Sequence, residues 1–198
     1  MAIRGGDGAR SQNFDAVLSA AQHGAPWACT TIWAEYAPAV AAFLTSRGSA
    51  EPEDLTSDVF LAVFDTLPSF QGGESEFRSY VFSIAYRRLV DELRKRTRRG
   101  RHEEWKVELD HRQSASAESV AIERLGDAVA LRLLDDLPEA QRNVMVLRII
   151  ADLTIEQIAA ILNKREGAVK ALQRRALESL RKKSVPGRTP AAGSNDSE

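Results

Sequence analysis

Arg94, Lys95, Arg96, Arg98, Arg99 and Arg101 place six cations within eight positions. A run this dense repels itself and calls for a polyanion, although a solvated helix end, where cations complement the dipole, is the plainer alternative. Just upstream stand Tyr86, Arg87 and Arg88. An aromatic ring among arginines can stack an unpaired base, though Tyr at such a position also serves as core. A second constellation spans Thr154 to Lys183. Two short helices joined by a tight turn, the second with a basic outer face, form helix-turn-helix geometry. Val169, Leu172 and Ala176 would dock inward, leaving Lys170, Ala171, Arg174 and Arg175 on or near the outward face. Gly167 and Ala168 are small enough for the helix start to approach a phosphate backbone. Arg can grip guanine with two bonds and Lys can neutralise phosphate. An ordinary helical hairpin with a charged outer face competes with this reading. A third stripe, Asp54, Ser57, Asp58 and Leu61, follows helical spacing of three and four. It is either solvent-facing or a docking face for a basic partner.

Enzyme chemistry is poorly served. His23, His102 and His111 lack metal-ligand spacing, and the acidic residues are scattered. The GGDG start and Gly72-Gly73 follow no strand and precede no Gly-Lys-Ser/Thr, so neither is a phosphate loop. No catalytic residue, metal site or cofactor is expected. Cys29 is the single cysteine, which excludes an internal disulfide and reads as a buried, inert thiol. The formal net charge of −1 excludes a uniformly basic coat, so any nucleic-acid face must come from local clustering. The start has no signal-peptide apolar run, and no stretch reaches the ~18 apolar residues of a membrane span. A cytoplasmic protein without membrane insertion is the expectation.

These residues need helices to position them. The chain of 198 residues has room for one ordinary domain or two small ones. Residues 1–12 and 184–198 are rich in Gly, Ser and Pro and are expected to be disordered. The first block, 13–100, carries apolar stripes from Phe14 to Leu18, from Trp27 through Phe43, and from Leu55 through Phe64. Gly48 and Pro68 are natural stops, and Pro52 suits a first helical turn. In the fourth segment, Glu76 to Arg99, the stripe of Phe77, Val81 and Ile84 resumes only at Leu89, which predicts a break near Tyr86-Arg87-Arg88. Residues 101–117 lack periodicity and read as a flexible acidic linker. The second block, 118–183, opens with a helix through Val120 and Leu134, followed by one from Pro138. Thr154 with Gln157 fits a capping box ahead of a short helix, and a last helix follows Asn163-Lys164-Arg165. No strand alternation or internal repeat is visible. The fold class is all-α, in two small helical domains.

EDLTSDVFLAVFDTL and FRSYVFSIAYRRLVDELRKRTRR resemble conserved region 2 of extracytoplasmic-function (ECF) sigma factors, the small members of the sigma-70 family. LLDDLPEAQRNVMVLRIIADLTIEQIAAILNKREGAVKALQRRALESLRK resembles their region 4. The resemblance runs from Phe14 to Lys183 and includes the order of the blocks. It implies a subunit that directs core RNA polymerase to −35 and −10 promoter elements and assists melting. Asp54, Ser57, Asp58 and Leu61 would meet the clamp helices of the polymerase's largest subunit. Tyr86–Asp91 would form a specificity loop for a flipped −10 base, with Tyr86, Arg87, Arg88 and Asp91 at it and Arg94 and Arg98 on nearby phosphates. Arg165, Gly167, Lys170, Ala171, Arg174 and Arg175 would contact the −35 element, and region 4 would also rest on the polymerase flap. The linker would thread toward the active-site cleft. Such proteins are commonly restrained by an anti-sigma factor. Ser57 stands where relatives often carry Gln, and Ala168 and Ala171 replace hydroxyl residues of the usual recognition helix. A stand-alone helix-turn-helix regulator is the rival reading, and a protein-only adaptor a more distant one. The regulator would require an upstream receiver or ligand pocket, and the adaptor would not need the Arg94–Arg101 run.

Overall fold

Apolar residues at helical spacing build each element of this chain. The computed structural model describes residues 7–103 and 134–184, with side chains from 13–98 and 134–182. Helix α1 (Asp7–Gln22) buries Phe14, Val17, Leu18 and Ala21, a stripe with steps of three and four. It begins six residues before Asn13, so part of the segment expected to be disordered is helical.

Helix α2 (Pro26–Ser46) starts with proline in its first turn and buries Ala28, Ile32, Tyr36, Val40, Phe43 and Leu44. Its end is a Schellman turn. Gly48, at φ +81°, lets Ser49 N–H reach Leu44 C=O at 3.1 Å and Gly48 N–H reach Thr45 C=O at 3.1 Å. Trp27, expected on the apolar face, is 59% exposed at the start of α2, where no later element among the described residues covers it. Helix α3 (Pro52–Thr66) carries Glu53 and Asp54 in its first turn and runs into a short 3-10 turn, Leu67–Ser69.

Helix α4 (Glu74–Glu103) is continuous for 30 residues, about 45 Å. The expected break at Tyr86–Arg88 is absent, and the expected loop at Tyr86–Asp91 is helix. The buried stripe is Phe77, Val81, Phe82, Ala85 and Leu89. Ala85 fills the place where the larger apolar residues skip a turn, so the phase never breaks. Helix α4 also extends into the first residues assigned to the linker.

The core of the first block centres on Phe77. Its ring lies 5.5 Å from Phe14, 5.3 Å from Tyr36 and 5.4 Å from Phe70. Aromatic contacts of this kind, edge-to-face for Tyr36 and Phe70 and tilted for Phe14, add to simple burial. Phe43 meets Phe82 edge-on at 5.7 Å, which ties α2 to α4.

In the second block, α5 (Glu139–Ile149), α6 (Ile155–Leu162) and α7 (Glu166–Ser184) pack around Val144, Leu147, Leu153, Ile158, Val169 and Ala176. The Thr154 capping box forms as expected: Thr154 Oγ1 accepts from Gln157 N–H at 3.3 Å, and Gln157 Oε1 accepts from Thr154 N–H at 2.9 Å. Asn163 adopts the left-handed conformation at the tight turn between α6 and α7. Arg142 braces the start of this block by donating to the carbonyls of Leu134, Asp135 and Leu137. The expected helix through Val120 lies outside the described residues up to Leu134, as do linker positions 104–117 and tail positions 185–198. Among the described residues there is no strand, and no helix is long and apolar enough to cross a membrane.

The two blocks touch. Gln157 Nε2 donates to Ser75 C=O at 3.1 Å and to Ser75 Oγ at 3.0 Å. Arg47 Nη2 lies 3.6 Å from Glu139 Oε1.

Candidate nucleic-acid interface

Helix α3 buries Thr56, Val59, Phe60 and Val63, so geometry turns Asp54, Ser57, Asp58 and Leu61 to the opposite side. All four are exposed, Leu61 by 68%. Ser57 donates its hydroxyl to Glu53 C=O at 3.2 Å and thus offers its oxygen lone pairs outward. A solvated leucine flanked by carboxylates suits a partner with basic and apolar surface together. Trp33, against Phe60 at 4.8 Å, extends the apolar part toward α2.

The residues expected at the −10 element divide between roles. Arg87 and Arg88 are exposed, and Tyr86 is half-buried against the core. Burial raises the Tyr86 phenol pKa, with Arg47 opposing that shift. Arg87 is oriented by its own turn, donating to Ser83 C=O at 3.2 Å and to Ser83 Oγ at 3.1 Å. Arg94 lies 3.9 Å from Asp91. Arg96, though exposed, donates to Gly48 C=O at 3.0 Å, which makes it a brace of the α2–α3 loop. Glu92 braces the same loop, accepting from Ser49 Oγ and Ala50 N–H at 2.8 Å each. Arg99 and Arg101 have no described side chains.

Two clefts meet along α4. One lies between α3 and α4, where Glu51, Asp54 and Asp58 face Arg88, Lys95 and Arg98. Asp54 and Asp58 of α3 and the α4 cations therefore line a single groove, with Asp91 and Glu92 beside those cations on the α4 side. The other cleft, of about 580 Å³, lies beside the 3-10 turn and is lined by Thr66, Phe70, Gln71, Tyr80, Arg87 and Arg88, among others. Its volume falls in the range of ordinary ligand clefts, roughly 300–1,000 Å³. Phe70 and Tyr80 pack ring to ring at 5.1 Å, and the Tyr80 hydroxyl bonds to Thr66. Two aromatic rings beside two arginines can hold a planar, electron-rich base. Sequence reasoning missed Phe70, Gln71 and Tyr80. The signal was present in the loop residues Gln71-Gly72-Gly73, which lead directly into α4.

On α7, Val169 and Ala176 are buried and Leu172 is half-buried. This leaves Arg165, Gly167, Lys170, Arg174 and Arg175 exposed on one side, with Ala171 half-buried at its edge. The space beside Gly167 is open, since a side chain there would meet nothing within 4 Å. Lys170 lies 3.6 Å from Glu166, and Arg174 lies 3.8 Å from Glu178. Exposed pairs of this kind contribute little to stability, so both cations remain available to an anion.

Comparison with known proteins identifies both blocks. The family model "Sigma-70 region 2" matches residues 32–99, and "Sigma-70, region 4" matches residues 133–182. The ECF RNA polymerase sigma factor SigD of Mycobacterium tuberculosis is 30% identical over 181 residues, covering 87% of this chain and 84% of that protein. ShbA of Streptomyces griseus, another ECF RNA polymerase sigma factor, is 36% identical over 132 residues, covering 65% of this chain and 69% of its own. Among solved structures, CnrH in complex with the cytosolic domain of CnrY shares the fold, with a TM-score of 0.60 and 22% identity over 86% of this chain and 96% of that one. RpoE of Bartonella quintana, solved with the anti-sigma factor NepR, has a TM-score of 0.58 and 22% identity over 77% of this chain and 94% of that one.

Proposed function

The chain belongs to the ECF RNA polymerase sigma factors of the sigma-70 family, and we propose that its three faces divide the work of promoter opening as follows. The exposed face of α3, with Asp54, Ser57, Asp58 and Leu61, docks on the clamp helices of the polymerase's largest subunit. The aromatic and arginine cleft beside the 3-10 turn receives a base unstacked from the non-template strand of the −10 element. Arg88, Lys95 and Arg98 hold the neighbouring phosphates, and Arg94 extends that cationic track. Helix α7 enters the major groove of the −35 element with Lys170, Arg174 and Arg175, while Arg165 and Gly167 meet the backbone and Ala171 contributes an apolar contact. Region 4 also rests on the polymerase flap.

The observation that carries this reading is the cleft itself, in which Phe70 and Tyr80 stand beside Arg87 and Arg88, with Arg88 shared with the neighbouring groove that bears Lys95 and Arg98. Unstacking a base costs a few kcal/mol, and stacking on an aromatic returns roughly 1–3 kcal/mol. Melting therefore needs the additional strand contacts that the arginines supply. Each DNA-binding face is weak alone, and tethering both on polymerase raises the effective concentration of each for the promoter. The protein acts by binding, in the cytoplasm with the polymerase, and performs no chemistry of its own.

An anti-sigma factor that covers the α3 and α7 faces is part of this proposal. The Bartonella quintana neighbour, crystallised with one, makes it reasonable. The stand-alone regulator reading is disfavoured because the region 2 match spans the upstream block, where that reading requires a receiver or ligand domain.

Gel filtration with core polymerase tests the docking face. The wild-type chain should co-elute with core, and Leu61→Arg should abolish co-elution while leaving the thermal transition in place. Retained co-elution by Leu61→Arg would remove α3 from the interface.

A further inference from the structure

Glu166 is the sole acidic residue between Asn163 and Arg175. It sits in the first turn of α7 with a half-exposed side chain, beside Lys164, Arg165, Lys170, Arg174 and Arg175, while the next carboxylate, Glu178, lies further along the helix against Arg174. A carboxylate here is favoured by the helix dipole. Against DNA, however, it is carried toward phosphates, which repel it. The penalty is offset only if the carboxylate finds a donor in the groove.

The chemistry of the groove narrows the choice. An ionised carboxylate can only accept hydrogen bonds. In the major groove the donors are the amino groups of cytosine and adenine. Adenine places the N7 acceptor beside its amino group, where it opposes a second negative atom. Cytosine presents its amino group without an adjacent acceptor. The guanine paired with that cytosine presents only acceptors, O6 and N7. Lys170 Nζ lies 3.6 Å from Glu166 Oε2, one turn along the same face. The ion pair thus offers an acceptor and a donor side by side, matching the donor and acceptors on the edge of one base pair.

The geometry points to Glu166 as a specificity-determining residue of this sigma factor, accepting from a cytosine amino group in the −35 element while Lys170 donates to the guanine of the same pair. The inference rests on the major-groove placement of α7 proposed above and goes beyond it by naming the base pair.

The test is transcription by core polymerase with the full chain on a promoter library randomised through the −35 element, the transcripts being sequenced. Wild-type holoenzyme should favour C·G at one position. Glu166→Gln, whose amide can both accept and donate, should reduce that preference roughly five- to a hundred-fold at that position alone, with adenine rising. Lys170→Ala should weaken selection for the same pair. Unchanged base preference in Glu166→Gln would overturn the assignment. So would a uniform rise in output at every promoter, which would show charge repulsion without readout. A wild-type holoenzyme that initiates normally but is indifferent to the −35 sequence would instead overturn the placement of α7.

Discussion

Gln157 ties the two halves of the molecule together with one side chain. Its Oε1 closes the capping box on Thr154 N–H at 2.9 Å, while its Nε2 donates to Ser75 C=O at 3.1 Å at the start of α4. The first contact belongs to the second block alone, and the second contact joins the blocks. Different substitutions separate them. Thr154→Ala should cost about 1 kcal/mol of stability by removing the cap. Gln157→Glu keeps the cap acceptor but loses the donor to Ser75. It should leave the cap intact and raise amide exchange around Ser75. Equal exchange in wild type and Gln157→Glu would show that the contact does not hold the blocks together.

Arg47 and Glu139 form another link. The Arg47 side chain is 5% exposed and that of Glu139 is 79% exposed. Burial lowers the Arg47 pKa, and the Glu139 carboxylate opposes that shift. Because one partner is largely solvated, the pair contributes at the scale of a surface bridge. Glu139→Ala should cost no more than about 1 kcal/mol in urea denaturation. Arg47→Met, which removes a buried charge but keeps apolar bulk, should be neutral or stabilising. A loss of several kcal/mol in Arg47→Met would mean that the guanidinium is held by more than this pair.

The cleft beside the 3-10 turn should matter for melting and not for docking. Gln71 and Arg87 are exposed, so their substitution by Ala should change stability by less than about 0.5 kcal/mol. The double variant should slow open-complex formation, read by permanganate reactivity of the −10 thymines, while co-eluting with core polymerase as wild type does. Tyr80→Ala should add a loss of roughly 1–3 kcal/mol if its ring stacks on the base. Equal loss of docking and melting would separate this cleft from base capture.

Arg174→Ala should weaken −35-dependent initiation by about 1–3 kcal/mol and relax selection at one base position if the guanidinium grips a guanine with two bonds. If Arg174 meets only phosphate, the loss should be uniform across sequences and the salt dependence shallower by about one charge. Promoter-library transcription at two salt concentrations distinguishes the two. An unchanged profile would take Arg174 off the DNA.

The helical fold was legible because each stripe is carried by large apolar residues at helical spacing. The cap at Thr154 was legible because its two partners are local. The break expected at Tyr86–Arg88 arose from following Ile84 to Leu89 and passing over Ala85, which is small yet fully buried and carries the stripe through. The polar stripe of α3 was legible as a face. The wall it forms opposite Arg88, Lys95 and Arg98 depends on how α3 crosses α4, and no local pattern encodes that crossing. The same holds for Phe70 and Tyr80, ten residues apart, which become one cleft only when the 3-10 turn folds back on α4. Arg96 looked identical to its neighbours in the cation run and is distinguished only by its bond to Gly48.

The most direct test of the central claim is run-off transcription from fragmented genomic DNA of the host, using core polymerase freed of other sigma factors and mixed with this protein. Discrete start sites that share upstream −35 and −10 elements are the predicted result. No initiation, together with no co-elution with core polymerase, would contradict the account.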